Sequence, residues 1–110
     1  MVLVIGGSNQ GKTDFVINKF GKESIFDELH FFVRKKMDEG YTEEKILEEI
    51  REKIKGGSTV LIADEIGNGV VPMDSTDRLW REVTGRILIK LAAEATEVYR
   101  VVCGIGQRIK

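Results

Sequence analysis

The chain has 110 residues, of which 42% are hydrophobic and 32% charged, a composition typical of a globular protein. Seventeen basic and eighteen acidic residues leave a formal charge of −1, so the composition offers no basic field for nucleic acid. Cys103 is the only cysteine, which excludes an internal disulfide, and no apolar run approaches the roughly 20 residues of a membrane span. We expect one cytoplasmic domain over residues 1–110 that binds neither nucleic acid nor a membrane.

The first half of the chain alternates between apolar runs and amphipathic segments. Residues 2–5 are continuously apolar and predict a strand buried on both faces. Residues 12–20 predict a helix, and residues 24–26 predict a short strand leading into a second helix over residues 27–39. Thr42 is the expected N-cap of a third helix that ends near residue 55.

The second half repeats this alternation. Residues 59–63 predict another buried strand, closed by two acids and followed by a loop over residues 67–72. Asp74 or Ser75 is expected to cap a long helix reaching residue 95. Residues 98–103 predict the last strand, with Cys103 in the core, and two later glycines are expected to loosen the tail. Alternating strands and helices indicate an α/β fold with a mostly parallel sheet.

Right-handed crossovers place ligands at the carboxyl ends of the strands in such a sheet. Four segments of this sequence lie at predicted strand ends, namely Asp27, residues 6–13, residues 64–65 and residues 104–106. The residues that could bind a ligand or take part in a reaction are therefore expected to converge on one edge of the sheet.

The strongest motif is the octapeptide Gly-Gly-Ser-Asn-Gln-Gly-Lys-Thr at residues 6–13, which matches G-x-x-x-x-G-K-[ST] between a predicted strand and a predicted helix. In such a loop the backbone N–H groups point at phosphate oxygens. The residues expected to bind ATP or GTP are Gly6, Gly7, Ser8, Asn9, Gln10, Gly11, Lys12 and Thr13. Lys12 would reach the β- and γ-phosphates, and the Thr13 hydroxyl would ligate Mg²⁺. A glycine-rich turn that binds nothing is the alternative, disfavoured by eight matching positions in this context. This context predicts a three-layer P-loop NTPase-like (RecA-like) fold with a small sheet.

Three acids are candidates for the chemistry of this site. Asp64 and Glu65 end an apolar strand, where an acid can hold a Mg²⁺ ion or its water, or orient an attacking hydroxyl. We assign both to catalysis, and Asp64 with Thr13 to the metal. The alternative is that either acid caps the following turn. Asp27 is the third candidate, although N-capping of the next helix would also explain it.

His30 is the only histidine in the sequence and could in principle attack phosphorus. It lies in an apolar helical segment, and no partner for its ring is evident from the sequence. Packing is therefore the favoured interpretation of His30. Trp80 is likewise interpreted as a core residue or a subunit contact rather than a ligand platform.

Several segments together resemble the bifunctional adenosylcobinamide kinase / adenosylcobinamide-phosphate guanylyltransferase family. They are residues 5–13 (IGGSNQGKT), 65–72 (EIGNGVVP), 85–86 (GR), 91–99 (LAAEATEVY) and 102–110 (VCGIGQRIK). Family members are usually longer, and the segment that carries their GMP-accepting histidine has no counterpart between residues 20 and 59. Residues 25–32 resemble a later family element, an apolar strand ending in acid. The resemblance therefore implies a shortened member.

The activity that this resemblance implies is transfer of the γ-phosphate of ATP or GTP, with Mg²⁺, to the hydroxyl of adenosylcobinamide in cobalamin biosynthesis. Guanylyl transfer is not expected, because the accepting histidine is unmatched. Two alternatives remain, a nucleotide-binding protein without chemistry and a phosphotransferase or NTPase with another acceptor. The expected partners are a nucleotide and a corrinoid, cobinamide, and the family suggests a homo-oligomer, a trimer.

Overall fold

The computed structural model describes residues 1–66 and 74–110, and these form a five-stranded sheet with helices on both faces. The predicted loop over residues 67–72 lies outside the described residues. In chain order the elements are β1 (Val2–Gly6), α1 (Lys12–Phe20), β2 (Ile25–Phe26), α2 (Leu29–Asp38), α3 (Glu43–Lys55), β3 (Val60–Asp64), α4 (Ser75–Glu94), β4 (Glu97–Val102) and β5 (Ile105–Arg108).

The strands are arranged in the order β2-β3-β1-β4-β5. The first four of these are parallel, and only β5 pairs antiparallel, with β4. The register places Gly6 of β1 opposite Asp64 of β3, and Ile5 opposite Arg100 of β4. As predicted, the carboxyl ends of the parallel strands therefore lie at one edge.

Each face of the sheet buries its own apolar cluster. One cluster joins the sheet to α2, α3 and α4, with fully buried side chains such as Leu29, Ile50 and Ile87. The other joins the sheet to α1 through Val4, Val16 and neighbouring side chains. Helix, sheet and helix layers result, which confirms the predicted three-layer α/β architecture. Within the described residues, no helix is long and apolar enough to cross a membrane.

The predicted helix caps are largely confirmed. The Thr42 hydroxyl accepts a hydrogen bond from the Lys45 N–H at 3.2 Å, and the Asp74 carboxylate accepts one from the Thr76 N–H at 2.7 Å. Helix α2 begins two residues later than predicted, because Glu28 has a left-handed backbone conformation with φ 54°. Asp27 therefore stands before the helix and does not cap it.

The prediction of a loosened tail is wrong. The chain turns at Cys103 and Gly104, which have φ values of 50° and 76°, and returns as β5. Gly106 is a glycine for a packing reason, since a Cβ there would lie 2.1 Å from the Phe15 ring. Cys103 is exposed at the turn, so its predicted place in the core is also wrong.

Gly6 allows the neighbouring strand to approach closely, and this gives a testable effect on stability. A Cβ at Gly6 would lie 2.5 Å from the carbonyl oxygen of Val101, a backbone atom that cannot move aside. We expect Gly6→Ala to lower the free energy of unfolding by about 1–3 kcal/mol in urea denaturation. Gly7→Ala is the control, since its nearest neighbour, the Gln10 side chain, would be 3.6 Å away. Equal losses in the two variants would contradict the close-approach argument.

Candidate functional site

The phosphate-loop motif lies between β1 and α1 and is held from both sides by backbone hydrogen bonds. On one side the Glu65 N–H donates to the Gly6 carbonyl at 2.8 Å. On the other, the Gly104 N–H donates to the Gln10 carbonyl at 2.7 Å, and the Cys103 N–H donates to the Gln10 side chain at 2.8 Å. The turn before β5 therefore holds the phosphate loop in place. This contact accounts for the positive φ values of Cys103 and Gly104 in the turn.

Lys12 opens α1, and its side chain is folded back across the loop. It is only 7% exposed, and its Nζ donates to the Gly7 carbonyl at 2.6 Å. The same Nζ lies 2.7 Å from Oδ1 of Asp64 at the end of β3. A buried ammonium group is costly without such partners. Lys12 is therefore placed over the loop, where phosphate oxygens could replace both contacts.

Thr13 and Asp27 lie side by side although they are 14 positions apart in the sequence. The Thr13 hydroxyl donates to Oδ2 of Asp27 at 3.0 Å, and Oδ1 of Asp27 accepts from the Glu28 N–H at 2.7 Å. The capping alternative for Asp27 is thus wrong, and the acid faces the phosphate loop. A hydroxyl and one carboxylate, completed by phosphate oxygens and water, match how Mg²⁺ is bound beside nucleotides.

The structure pairs Thr13 with Asp27, not with Asp64 as predicted. The Asp64 carboxylate contacts Lys12 and His30, whereas the Thr13 hydroxyl contacts Asp27. Among the described residues, no three histidine, cysteine or acidic side chains form a metal-binding cluster. Thr13 and Asp27 would leave the other coordination positions of a divalent cation to nucleotide oxygens and water.

His30 has the partner that sequence analysis did not find. Its ring is buried, its Nδ1 accepts a hydrogen bond from the Asp64 N–H at 3.0 Å, and its Nε2 lies 3.3 Å from Oδ2 of Asp64. An accepting Nδ1 carries no proton, so the proton of the neutral ring is on Nε2. The backbone carbonyl of His30 in turn accepts from Trp80 Nε1 at 2.9 Å. Trp80 packs against the core, as expected.

Burial gives His30 a predictable effect on stability. Desolvation lowers the pKa of His30 below its ordinary value of 6.5, although the charge of Asp64 opposes this shift. Because the unfolded chain then binds the proton more tightly, this contribution to stability is complete above pH 6.5 and declines as the pH falls below it. We expect unfolding to require less urea at pH 5.5 than at pH 7.5, with a smaller difference in His30→Gln. A wild type equally or more stable at pH 5.5 would contradict this assignment.

Glu65 is paired with an arginine that sequence analysis missed. Arg100 Nε lies 2.9 Å from Oε1 of Glu65, and Arg100 Nη2 lies 3.4 Å from Oε2. Both carboxylate oxygens of Glu65 are therefore engaged. The signal in the sequence was a single charged residue within the otherwise uncharged residues 98–102 of β4, at a position that parallel pairing brings to the loop.

Two clefts open on the phosphate loop. A cleft of about 590 Å³, here called the acid cleft, is bordered by the loop, Asp64, Glu65 and Arg100. A second of about 430 Å³, here called the helix cleft, lies between α1 and the turn before β5, and is bordered by Gly11, Phe15, Asn18 and Gly104. Both volumes are in the range of small-molecule sites.

Comparison with known proteins gives a family match over most of the chain. The family model described as cobinamide kinase / cobinamide phosphate guanyltransferase matches residues 16–109. Two curated proteins, the bifunctional adenosylcobalamin biosynthesis proteins CobU of Salmonella typhimurium and Escherichia coli, are each 47% identical to the chain over 51 residues. The aligned segment is 46% of this chain and 28% of each relative, so the chain matches less than a third of the relatives' length.

Proposed function

Because the chain belongs to the CobU family of cobinamide kinase / cobinamide phosphate guanyltransferase, whose fold is P-loop NTPase-like, we propose that it acts in the kinase half of that chemistry. It binds ATP or GTP with Mg²⁺ at residues 6–13 and transfers the γ-phosphoryl group to the hydroxyl of adenosylcobinamide. The observation that carries this proposal is that two separate pairs of side chains meet at the phosphate loop. Lys12 stands against Asp64, and Thr13 stands against Asp27.

Nucleotide binding is proposed to exchange the contacts of Lys12. Its Nζ leaves the Gly7 carbonyl and the Asp64 carboxylate, and donates instead to the β- and γ-phosphate oxygens. The triphosphate supplies more negative charge than the lost contacts, so the exchange keeps the buried ammonium group compensated. The loop N–H groups and the N-terminus of α1 bind the remaining phosphate oxygens.

The metal site is proposed to lie between Thr13 and Asp27 rather than between Thr13 and Asp64. Two neighbouring oxygens are available at the first pair, whereas the Asp64 carboxylate of the second pair contacts Lys12. When bound, Mg²⁺ neutralises charge on the β- and γ-phosphate oxygens. Thr13 and Asp27 would hold the ion beside the phosphates, and no other chemistry would be required of them.

The acceptor is proposed to enter the acid cleft, where Asp64 faces the loop. Asp64 orients the acceptor hydroxyl and takes its proton, while Lys12 stabilises charge on the transferred group. Glu65 is less suited to this role because Arg100 engages both of its oxygens. The nucleoside extends into the helix cleft beside Phe15.

Transfer of labelled phosphate tests the kinase proposal. The purified protein is incubated with γ-labelled ATP or GTP, Mg²⁺ and adenosylcobinamide, with an acceptor-free reaction as the control. We expect label on the corrinoid. Nucleotide binding without labelled product would instead support the alternative of a nucleotide-binding protein without chemistry, and label on water alone would support an NTPase.

A covalent guanylyl–histidine is not expected in this chain. The only imidazole is that of His30, whose ring is buried and whose two nitrogens both face Asp64. An attacking nitrogen must instead be in line with the α-phosphate of GTP. After incubation with α-labelled GTP and Mg²⁺ followed by denaturation, we expect no label on the protein. Acid-labile, alkali-stable label that disappears in His30→Asn would contradict this expectation.

A further inference from the structure

His30 is a buried titratable group to which the proposed phosphoryl transfer assigns no part. The residue is 4% exposed, and both ring nitrogens face a single residue, Asp64. One nitrogen accepts from the backbone N–H of Asp64, and the other faces its carboxylate. Two contacts at different atoms of one residue fix the residue's orientation as well as its position.

The carboxylate of Asp64 is divided between two partners. Oδ1 lies 2.7 Å from Lys12 Nζ, and Oδ2 lies 3.3 Å from His30 Nε2. If Lys12 moves to the triphosphate, as the proposed function requires, Oδ1 loses its partner while Oδ2 keeps His30. The carboxylate then presents one unoccupied oxygen to the acid cleft, in an orientation that the imidazole sets.

The position of His30 is itself fixed by contacts with α4 and within its own helix, α2. Its backbone carbonyl accepts from Trp80 Nε1 of α4 at 2.9 Å, and its ring lies 4.3 Å from the ring of Phe31. Phe31 stacks on Trp80 with ring centroids 6.1 Å apart. The backbone of His30 is therefore anchored to α4, and its ring packs beside Phe31 with both nitrogens toward Asp64.

We propose that His30 is a positioning residue, which holds the carboxylate of Asp64 so that one oxygen is open to the acceptor hydroxyl once Lys12 has moved to the nucleotide. This inference rests on the proposed kinase function and assigns a role within the same site. It also makes Asp64, and not Glu65, the acid that meets the acceptor.

The transfer step balances with these groups alone. The acceptor O–H gives its proton to Oδ1 of Asp64, and the acceptor oxygen forms a bond to the γ-phosphorus. The bond from that phosphorus to the bridging oxygen breaks, and the nucleoside diphosphate leaves with the electron pair. His30 keeps its proton on Nε2 throughout, 3.3 Å from Oδ2.

Kinetics of two His30 variants test this role. His30→Leu removes both contacts, whereas His30→Gln keeps one acceptor and one donor in a side chain of similar reach. With adenosylcobinamide as the acceptor, we expect His30→Leu to lower kcat about 10- to 100-fold while the KM for nucleotide changes less than about threefold. His30→Gln should recover most of the lost kcat. Equal kcat in wild type and His30→Leu, or a loss in both variants that falls on nucleotide KM, would overturn the proposal.

Nitrogen NMR of the wild type gives an independent test that needs neither turnover nor a variant that folds. Because the chain has one histidine, its imidazole signals are unambiguous. We expect an unprotonated Nδ1 and a protonated Nε2, with and without a non-hydrolysable nucleotide analogue and Mg²⁺. A proton on Nδ1 in the nucleotide complex would overturn the positioning role. Absence of phosphate transfer by a wild type that shows the expected tautomer would contradict the kinase proposal while supporting the placement of Asp64 by His30.

Discussion

Lys12→Ala is expected to reduce affinity for ATP and GTP by roughly 30- to several thousand-fold, because truncating a buried charge-pair partner costs about 2–5 kcal/mol. The Lys12 side chain is 7% exposed, and its ammonium group is compensated by Asp64 and Gly7, so the charge is already largely desolvated where phosphates would bind. Its interaction with the triphosphate is consequently little screened by water. Calorimetric titration of both nucleotides measures the effect.

Lys22→Ala is the matched control, since Lys22 is an exposed lysine just beyond the end of α1. It removes the same charge from the chain without touching the loop, and should leave affinity nearly unchanged. Equal affinities of wild type and Lys12→Ala would show that residues 6–13 do not bind the triphosphate. Thermal unfolding without nucleotide separates lost affinity from lost folding.

The second large effect is expected for Asp27→Asn in the presence of Mg²⁺. Asparagine has one acceptor oxygen, so the variant removes the charge and can keep the hydrogen bond from the Thr13 hydroxyl, while the second bond that Asp27 accepts, from the Glu28 N–H, is lost. We expect the gain in nucleotide affinity that Mg²⁺ provides to fall about 10- to 100-fold. Affinity measured in excess chelator should remain close to that of the wild type.

Asp64→Asn is the informative comparison, since Asp64 was the metal ligand expected from the sequence. Its carboxylate contacts Lys12 and His30, so we expect this variant to keep most of the Mg²⁺ dependence and to lose turnover. Loss of the Mg²⁺ dependence in Asp64→Asn together with its retention in Asp27→Asn would contradict the placement of the metal beside Thr13.

The features predictable from the sequence were those that depend on local chemistry. Residues 6–13 form the expected loop between β1 and α1, and Thr42 and Asp74 cap their helices, because the relevant partners lie within a few residues. Apolar runs predicted the four parallel strands for the same reason. The prediction of a loosened tail was wrong because Gly106 was interpreted as a flexible residue. A Cβ at Gly106 would instead meet the ring of Phe15, which is 91 positions away in the sequence.

The side-chain contacts at the site could not be predicted from local sequence. The contacts of Thr13 with Asp27, His30 with Asp64 and Glu65 with Arg100 join residues separated by 14, 34 and 35 positions. Each depends on strand order, and the sequence does not specify that β3 lies between β2 and β1. That order places Asp64 beside Lys12 and Asp27 beside Thr13.

A crystal structure with Mg²⁺ and a non-hydrolysable analogue of ATP or GTP tests the central claim most directly, because it records where Lys12 points. We predict that Lys12 Nζ lies on the β- and γ-phosphate oxygens, that Mg²⁺ contacts Thr13 and Asp27, and that Asp64 remains against His30. A nucleotide bound away from residues 6–13, with Lys12 still on Asp64 and the Gly7 carbonyl, would contradict the account.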